Sequence, residues 1–168
     1  MSAQDSKLFV ISGPSGAGKG TLVTRVRERR SNLGLTVSAT TRAPRKGEVD
    51  GVNYFFLTRE EFDRRVANGE FVEWAEVHGN CYGTLVSEVT SKLASGSSLI
   101  LEIDVQGALQ VKERFPEAVL IFIKPPSLEV LRERLVGRGT ETPETIELRM
   151  ANAADELALA DRYDDVVV

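Results

Sequence analysis

Three short apolar runs stand out along the chain, and each is followed by a segment with helical periodicity. The runs are Leu8–Ile11, Leu99–Ile103 and Val119–Ile123, the second interrupted only by Glu102. Apolar runs of this length are typical of strands buried on both faces of a parallel sheet. A further run, Val166–Val168, predicts another strand. The alternation of strands and helices predicts an α/β fold with a central parallel sheet and right-handed crossovers.

Apolar spacing and capping residues predict four helices in this part of the fold. They are Lys19–Arg30, Gln106–Phe115, a helix capped by Ser127 that carries Leu128, Leu131 and Leu135, and a helix capped by Thr142 with Pro143 at its first position. The last of them carries an apolar stripe formed by Ile146, Met150, Ala153 and Leu157.

Residues 36–86 follow a different pattern. Tyr54–Phe56 and Phe71–Val77 have patterns typical of antiparallel strands. The short helix between them has a Thr58–Glu61 capping box, a Leu57–Phe62 hydrophobic staple and Gly69 as its end signal. We interpret this stretch as an insertion that forms a smaller α+β lobe.

A second insertion is predicted at residues 136–146, where a polar segment with two glycines separates two predicted helices. We interpret it as a short lid. The predicted core of a single domain then consists of residues 1–35, 87–135 and 147–168.

Composition narrows the function classes. The net charge of the 168 residues is −4, which argues against a general nucleic-acid binder. A single cysteine, Cys81, rules out an internal disulfide, and a single histidine, His78, rules out a histidine-rich zinc site. The start of the chain, Met1–Asp5, is polar, and no apolar run is long enough to span a membrane. These features predict a cytoplasmic protein.

The strongest chemical signal is a glycine-rich segment between the first predicted strand and the first predicted helix. It consists of Gly13, Pro14, Ser15, Gly16, Ala17, Gly18, Lys19, Gly20 and Thr21. Glycines allow several backbone N–H groups to converge on one anion, and the helix N-terminus adds partial positive charge. The spacing G-x-x-x-x-G-K predicts a phosphate loop of the P-loop NTPase type, in which Lys19 reaches the β- and γ-phosphates of ATP. The alternative is a plain glycine-rich strand–helix turn with an exposed lysine.

One position departs from the usual phosphate-loop pattern. Gly20 follows the lysine, and the hydroxyl comes one residue later at Thr21, a variant found in nucleoside monophosphate kinases. The direct ligands of Mg²⁺ therefore remain open.

Two carboxylates follow the strand predicted at Leu99–Ile103. Glu102 and Asp104 alternate with apolar residues, which predicts that both lie on one face toward the nucleotide. Asp104–Gly107 also matches the D-x-x-G pattern of GTPases, but the N-K-x-D guanine motif of those proteins is absent. The alternative for the carboxylate pair is a solvated strand end.

Several longer segments together closely resemble guanylate kinases. They are Ser38–Glu48, Asp50–Phe56, Glu70–Thr84, Leu101–Gly107 and Gly137–Thr142, in the family's order from the phosphate loop onward. The resemblance implies a core, a GMP-binding lobe and a lid. It also implies a reaction, phosphorylation of GMP, and of dGMP, by ATP, with Mg²⁺ held mostly through the ATP phosphates and water, and with Thr21 or Asp104 as candidate ligands.

The resemblance further implies roles for individual residues. Glu73 would accept hydrogen bonds from N1–H and the N2 amine of guanine, and the hydroxyls of Ser38 and Thr84 suit the O6 acceptor. Asp104 is matched either to this base-reading set or to the metal. The residues matched to the GMP phosphate are Arg42, Arg45, Tyr54 and Tyr82, with Glu48 as a holder of one arginine or a plain surface residue.

The lid arginines of the family are matched by Arg138 and Arg149, which would stabilise the transferring phosphoryl group together with Lys19 and Arg42. Arg134 is a third candidate or simply helix surface. We assign no chemistry to His78 and Cys81, and we expect Trp74 to serve packing.

Other functions compatible with the sequence are a non-enzymatic guanylate kinase-like interaction module, a kinase for another acceptor such as AMP, and a GTPase. The predicted partners are ATP and GMP or dGMP, with neither nucleic acid nor membrane, and the chain could act as a monomer or a homodimer. Because family members usually continue with an Asn-Asp turn at the adenine site and a final helix, we expect Val168 to mark a truncated or incompletely given sequence.

Overall fold

The computed structural model describes residues 5–168, which form two sheets and six α-helices. The larger sheet has five parallel strands in the order β2-β7-β1-β8-β9. Their bounds are β1 Leu8–Ser12, β2 Leu33–Leu35, β7 Ser98–Glu102, β8 Val119–Ile123 and β9 Asp165–Val167. The predicted α/β fold class, with a central parallel sheet, is confirmed.

Helices cover both faces of this sheet. Helix α1, Lys19–Arg29, packs on one face through Val23, against Ile100 and Ile123 of the sheet. Helices α3, Val86–Ala94, and α4, Val105–Arg114, contribute to the cluster on the other face. All-round burial explains why the central strands are continuous apolar runs in the sequence.

The smaller sheet has four strands in the order β4-β3-β6-β5. They are β3 Ala39–Thr40, β4 Phe55–Phe56, β5 Phe71–Val77 and β6 Asn80–Leu85. Strands β5 and β6 form an antiparallel hairpin as β5's pattern predicted, but the antiparallel interpretation of Tyr54–Phe56 was wrong, because β4 pairs parallel with β3. A parallel pair needs a crossover connection, and the long segment between Thr40 and Phe55 supplies it.

Helix α2, Arg59–Ala67, packs on the smaller sheet where the sequence predicted a helix. The hydroxyl of Thr58 accepts a hydrogen bond from the Glu61 N–H at 3.1 Å, and Phe62 is fully buried with Leu57 packed against the same cluster. The Glu61 carboxylate pairs with Arg65 at 3.0 Å. The Thr58 half of the predicted capping box and the apolar staple thus fix the start of this helix.

Two further helices carry the candidate lid between them. They are α5, Leu128–Gly137, and α6, Pro143–Ala158. The predicted caps are confirmed, since Ser127 Oγ accepts from the Val130 N–H and Thr142 Oγ1 accepts from the Thr145 N–H. Leu131 and Leu135 of α5 pack against Ile146 and Ala153 of α6, which fixes the two ends of the connecting turn relative to each other.

Within residues 5–168, no helix combines the length and apolar character needed to cross a membrane.

Candidate active site

The glycine-rich segment connects β1 to α1 and lies against the end of β8. A Cβ atom on Gly13 would stand 2.2 Å from the carbonyl oxygen of Ile123, so only glycine fits there. Gly18 caps α1 with φ 98°, in the left-handed region that favours glycine. The loop therefore opens α1 with its first N–H groups directed out of the helix, as anion binding requires.

Lys19 opens α1 and folds back over the loop. Its ammonium group donates a hydrogen bond to the carbonyl oxygen of Gly13. Burial lowers the pKa of Lys19, while Glu156, Glu102 and Asp104 act in the opposite direction. The Gly13 carbonyl thus holds the cation at the loop, and the three carboxylates favour its charged form from a distance. Glu156 lies on α6, and the sequence interpretation did not include it.

Three arginines from α5, α6 and the connecting turn converge on the same loop. Arg149 Nη1 lies 3.1 Å and Arg138 Nη1 lies 3.4 Å from the hydroxyl of Ser15. Arg134 Nη1 lies 3.3 Å from the carbonyl oxygen of Gly16. The structure therefore brings together the two predicted lid arginines and the third candidate, although more than a hundred residues separate them from the loop in sequence.

A cleft separates the phosphate loop from the smaller sheet. A cavity of about 750 Å³ runs from Gly20 to Ser38 and Thr84, and a second of about 260 Å³ is lined by Ser38, Glu73 and Asp104. Ser38, Tyr54, Glu102 and Ile103 line both cavities. The predicted base-reading residues thus face a cleft that extends to the residue after Lys19.

Glu73 and Thr84 form a pair on the neighbouring strands β5 and β6. The Thr84 hydroxyl donates to Glu73 Oε1 at 2.8 Å, and Thr84 itself is buried. Burial raises the pKa of Glu73, and the nearby Asp104 adds to the rise, while the hydrogen bond from Thr84 opposes it. Because one oxygen of Glu73 is fixed by Thr84, the carboxylate has a defined orientation.

Asp104 has a role in the backbone as well as a place in the cleft. It lies beyond the end of β7, where its Oδ1 accepts a hydrogen bond from the Gly107 N–H at 2.7 Å and caps α4. The predicted strand alternation therefore does not extend to Asp104. Glu102, the last residue of β7, and Asp104 nevertheless line the same cavity.

Arg42 is held by a bidentate ion pair with Glu48. The two guanidinium nitrogens lie 2.9 and 3.0 Å from the carboxylate oxygens, and hydrogen bonding to Glu48 is the main cause of a raised Arg42 pKa. The guanidinium also lies 5.3 Å from the ring centre of Tyr54, which in turn contacts the ring of Tyr82. The structure therefore groups Arg42 and Glu48 with both tyrosines. The tyrosines line the cleft, whereas Arg42 and Glu48 line neither cavity and lie beside the tyrosines.

Arg45 is placed differently. Its backbone N–H donates to Glu48 Oε1 at 2.7 Å, but its side chain is exposed and lines neither cavity. Thr21 is also exposed, in the first turn of α1. These two predicted site residues are not brought into the cleft.

The oxygen atoms around the phosphate loop are too few to hold a metal ion without additional ligands from a bound nucleotide or water. No cluster of three or more His, Cys, Asp or Glu side chains able to hold a metal occurs in the described part of the chain, residues 5–168. Glu102 and Asp104 lie close enough to act on Lys19, and Ser15 belongs to the loop, so these three residues offer oxygen donors there. Mg²⁺ prefers such oxygens and keeps several waters or phosphate oxygens in its shell.

The remaining polar or aromatic residues of the smaller lobe have structural settings. His78 lies exposed in the turn of the β5–β6 hairpin with φ 51°, and Cys81 is buried in the lobe's apolar cluster. Trp74 packs edge-on against Phe62 at 6.1 Å but is 41% exposed and also lines the smaller cavity, so packing describes only part of its surroundings.

Comparison with known proteins gives a consistent result. The guanylate kinase family model matches residues 5–168. The guanylate kinase of Gloeobacter violaceus is 58% identical over 163 residues, which are 97% of this chain and 80% of that protein. The guanylate kinase of Halalkalibacterium halodurans is 54% identical over 167 residues, 99% of this chain and 82% of that protein.

A solved structure agrees with these relatives. The crystal structure of guanylate kinase from Anaplasma phagocytophilum has a TM-score of 0.67 and 38% sequence identity, and the match covers 97% of this chain and 76% of that one. The chain therefore belongs to the guanylate kinase family.

Proposed function

We propose that the chain catalyses transfer of the γ-phosphoryl group of ATP to GMP, and also to dGMP. The observation that carries the proposal is a pair of adjoining cavities that extend from Gly20, the residue after Lys19, to the Glu73–Thr84 pair. The names of the relatives support the same reaction.

The proposed donor end acts by position and charge. Backbone N–H groups of the loop and Lys19 hold the ATP phosphates, and Arg138 and Arg149 face the same loop through Ser15. Phosphoryl transfer needs little covalent help from the protein, because in-line alignment and neutralised charge supply most of the rate. In this proposal the arginines stabilise charge on the transferring group.

The proposed acceptor end selects guanine by hydrogen bonding. An ionised Glu73 accepts from N1–H and from the N2 amine, while the hydroxyl of Ser38 is available to O6. The single hydroxyl proton of Thr84 already goes to Glu73, so Thr84 could donate to O6 only by giving up that bond. Adenine presents an acceptor at N1, which would face the carboxylate and lose both bonds. A buried site of this kind discriminates by roughly 10⁴-fold or more. In this proposal Arg42, Tyr54 and Tyr82 bind the GMP phosphate, and Arg45 would have to move inward to join them.

The residues fit a nucleotide-bound Mg²⁺ ion. Glu102 and Asp104 would hold it through water, beside ATP oxygens held by the loop, and the ion would neutralise the β- and γ-phosphates. The chain's own part is to fix both nucleotides and to exclude water from the cleft, since water would otherwise accept the phosphoryl group.

An ADP-release assay with several acceptors tests the proposal. We expect ADP release to depend on GMP or dGMP, with AMP, CMP and UMP far slower. Lys19→Met serves as the control, and it should nearly abolish turnover while GMP binding, measured by calorimetry, is largely retained. ADP release without any acceptor would point to a nucleotide hydrolase, and no release with any acceptor would point to an interaction module.

A further inference from the structure

Glu141 lies in the turn between α5 and α6, beside an arginine of the proposed site. Its Oε1 is 2.8 Å from Nε of Arg149, and only 11% of the Glu141 side chain is exposed. It directly precedes Thr142, the cap of α6. A carboxylate this buried requires a cation nearby, because an unpaired buried charge is costly.

The contact engages one edge of the guanidinium and leaves the other edge free to act. Nε faces Glu141, whereas Nη1 reaches Ser15 Oγ at 3.1 Å. Arginine has five N–H donors in a rigid fork, so a fixed Nε edge determines where the Nη atoms point. In this structure Nη1 reaches the phosphate loop at Ser15.

The pair is held by charge more than by an aligned hydrogen bond. Arg149 Nε and Glu141 Oε2 are both buried, and neither has a hydrogen-bond partner among residues 5–168. The second carboxylate oxygen is therefore available for a small rotation of the fork without losing the ion pair. The ion pair with Glu141 would keep Arg149 near the loop when Nη1 exchanged the Ser15 hydroxyl for a phosphate oxygen.

We propose that Glu141 is a positioning residue that aims Arg149 at the phosphates of the nucleotide in the loop. The inference rests on the proposed function and adds a residue to which neither the motif interpretation nor the comparisons give a role. A pre-oriented arginine loses less freedom when the phosphate arrives, which favours the reacting geometry. A purely structural role would instead predict that Glu141 anchors the turn regardless of Arg149.

A double-mutant cycle separates these two roles. The four proteins are wild type, Glu141→Gln, Arg149→Ala and the double variant. Glu144→Gln, which changes an exposed glutamate three residues further along in the first turn of α6, is the matched control. We expect Glu141→Gln to lower kcat by roughly ten- to a hundredfold, with little change in KM for GMP, because a misplaced catalytic group costs about that much. The double variant should be no slower than Arg149→Ala, and Glu144→Gln should match wild type.

Guanidinium ions provide a second readout that a structural role would not change. Added guanidinium should restore part of the activity of Arg149→Ala, since the carboxylate of Glu141 can hold the free cation, and it should not rescue the double variant. If Glu141→Gln fails to fold, Glu141→Asp takes its place in the cycle, and rescue that persists in the double variant overturns the proposal.

Two results overturn the proposal directly: wild-type kcat in Glu141→Gln, or a full additional loss when Glu141→Gln is added to Arg149→Ala. The same cycle is measured on ATP binding by calorimetry, without an acceptor. Absence of GMP-dependent turnover in the wild type would remove the proposed function. Even then, non-additive effects of the two substitutions on ATP affinity would support coupling between Glu141 and Arg149, and additive effects would overturn it.

Discussion

Replacement of Gly13 by alanine is expected to displace the phosphate loop from the sheet. The new Cβ would lie 2.2 Å from the Ile123 carbonyl oxygen, whereas ordinary Cβ contacts begin near 3.4 Å. Loop and strand must therefore separate by about 1.2 Å, and both sides of the contact are main chain rather than a flexible side chain. Overpacking of this kind costs about 1–3 kcal/mol of folding free energy.

The effect on activity should exceed the effect on folding. The loop carries the backbone N–H groups and Ser15, on which two arginines converge, so its displacement moves the whole donor end of the site. A shift of about 1 Å in a reacting group costs roughly a hundredfold in rate. We expect a loss of about that size in kcat/KM for ATP, with GMP affinity little changed.

The assay is GMP-dependent ADP release with ATP varied at saturating GMP, alongside thermal unfolding and calorimetric GMP binding. Gly137→Ala is the control, because its Cβ would meet no heavy atom within 4 Å at the end of α5. Alanine should leave turnover intact there and stabilise the helix by up to about 1 kcal/mol. Wild-type kcat/KM for ATP in Gly13→Ala, with an unchanged melting temperature, would refute the close-approach argument.

Three further predictions concern the acceptor side of the cleft. Burial raises the pKa of Glu73, so kcat/KM for GMP, which reports the free enzyme, should fall on acidification at a pH above the ordinary glutamate value of about 4.3. Glu73→Gln should remove that acid limb, lower GMP use and spare ATP binding; an unchanged pH profile would contradict the base-reading role. Arg42→Lys should lower kcat/KM for GMP by a factor that corresponds to about 1.5–3 kcal/mol of lost transition-state stabilisation. Lysine cannot keep the bidentate pair with Glu48 and also present a fork of donors to the phosphate. An unchanged kcat/KM would place Arg42 outside the phosphate site. Glu88→Ala should lower the free energy of unfolding by about 1–3 kcal/mol in urea titrations, since the Val37 N–H loses its acceptor next to Ser38; unchanged stability would mean that water replaces the carboxylate.

The sequence predicted those elements whose formation depends on residues close together in the chain, such as an apolar run or a capping hydroxyl. Val119–Ile123 is a strand because both of its faces are buried, and Ser127 and Thr142 begin helices because their hydroxyls accept from nearby N–H groups. The helix α3 was not predicted. It begins at Val86 without a side-chain cap, so its start depends on packing rather than on a residue pattern.

The short strands of the smaller lobe depend on distant partners. β3 has only two residues, and β6 contains Gly83, where a Cβ would lie 2.7 Å from the ring of Phe71 across the hairpin. Whether such short segments form strands depends on packing against neighbouring strands, so the periodicity of their own sequence predicts them poorly. The parallel pairing of β4 was mispredicted for the same reason.

Ion pairs within the chain explain how an acidic protein can contain a site for two polyanions. The net charge is −4, yet the phosphate loop is surrounded by a lysine and several arginines. Arg42 is paired with Glu48 and Arg149 with Glu141, while Glu156 lies near Lys19. Glu48 and Glu141 each fix an arginine in place, and all three carboxylates lower the repulsion among the cations before any nucleotide arrives.

A phosphate that enters this site therefore meets donors that neighbouring carboxylates have already oriented. The carboxylates weaken the net electrostatic attraction of the site for each anion. They also orient the donors, because a guanidinium held on one edge presents the other edge at a fixed angle. For phosphoryl transfer this exchange is favourable, since alignment of the reacting groups accelerates the reaction and tight binding of the ground state does not. Removing a carboxylate from one of these pairs should therefore reduce kcat even though it makes the site more positive, which is the opposite of what charge attraction alone would predict.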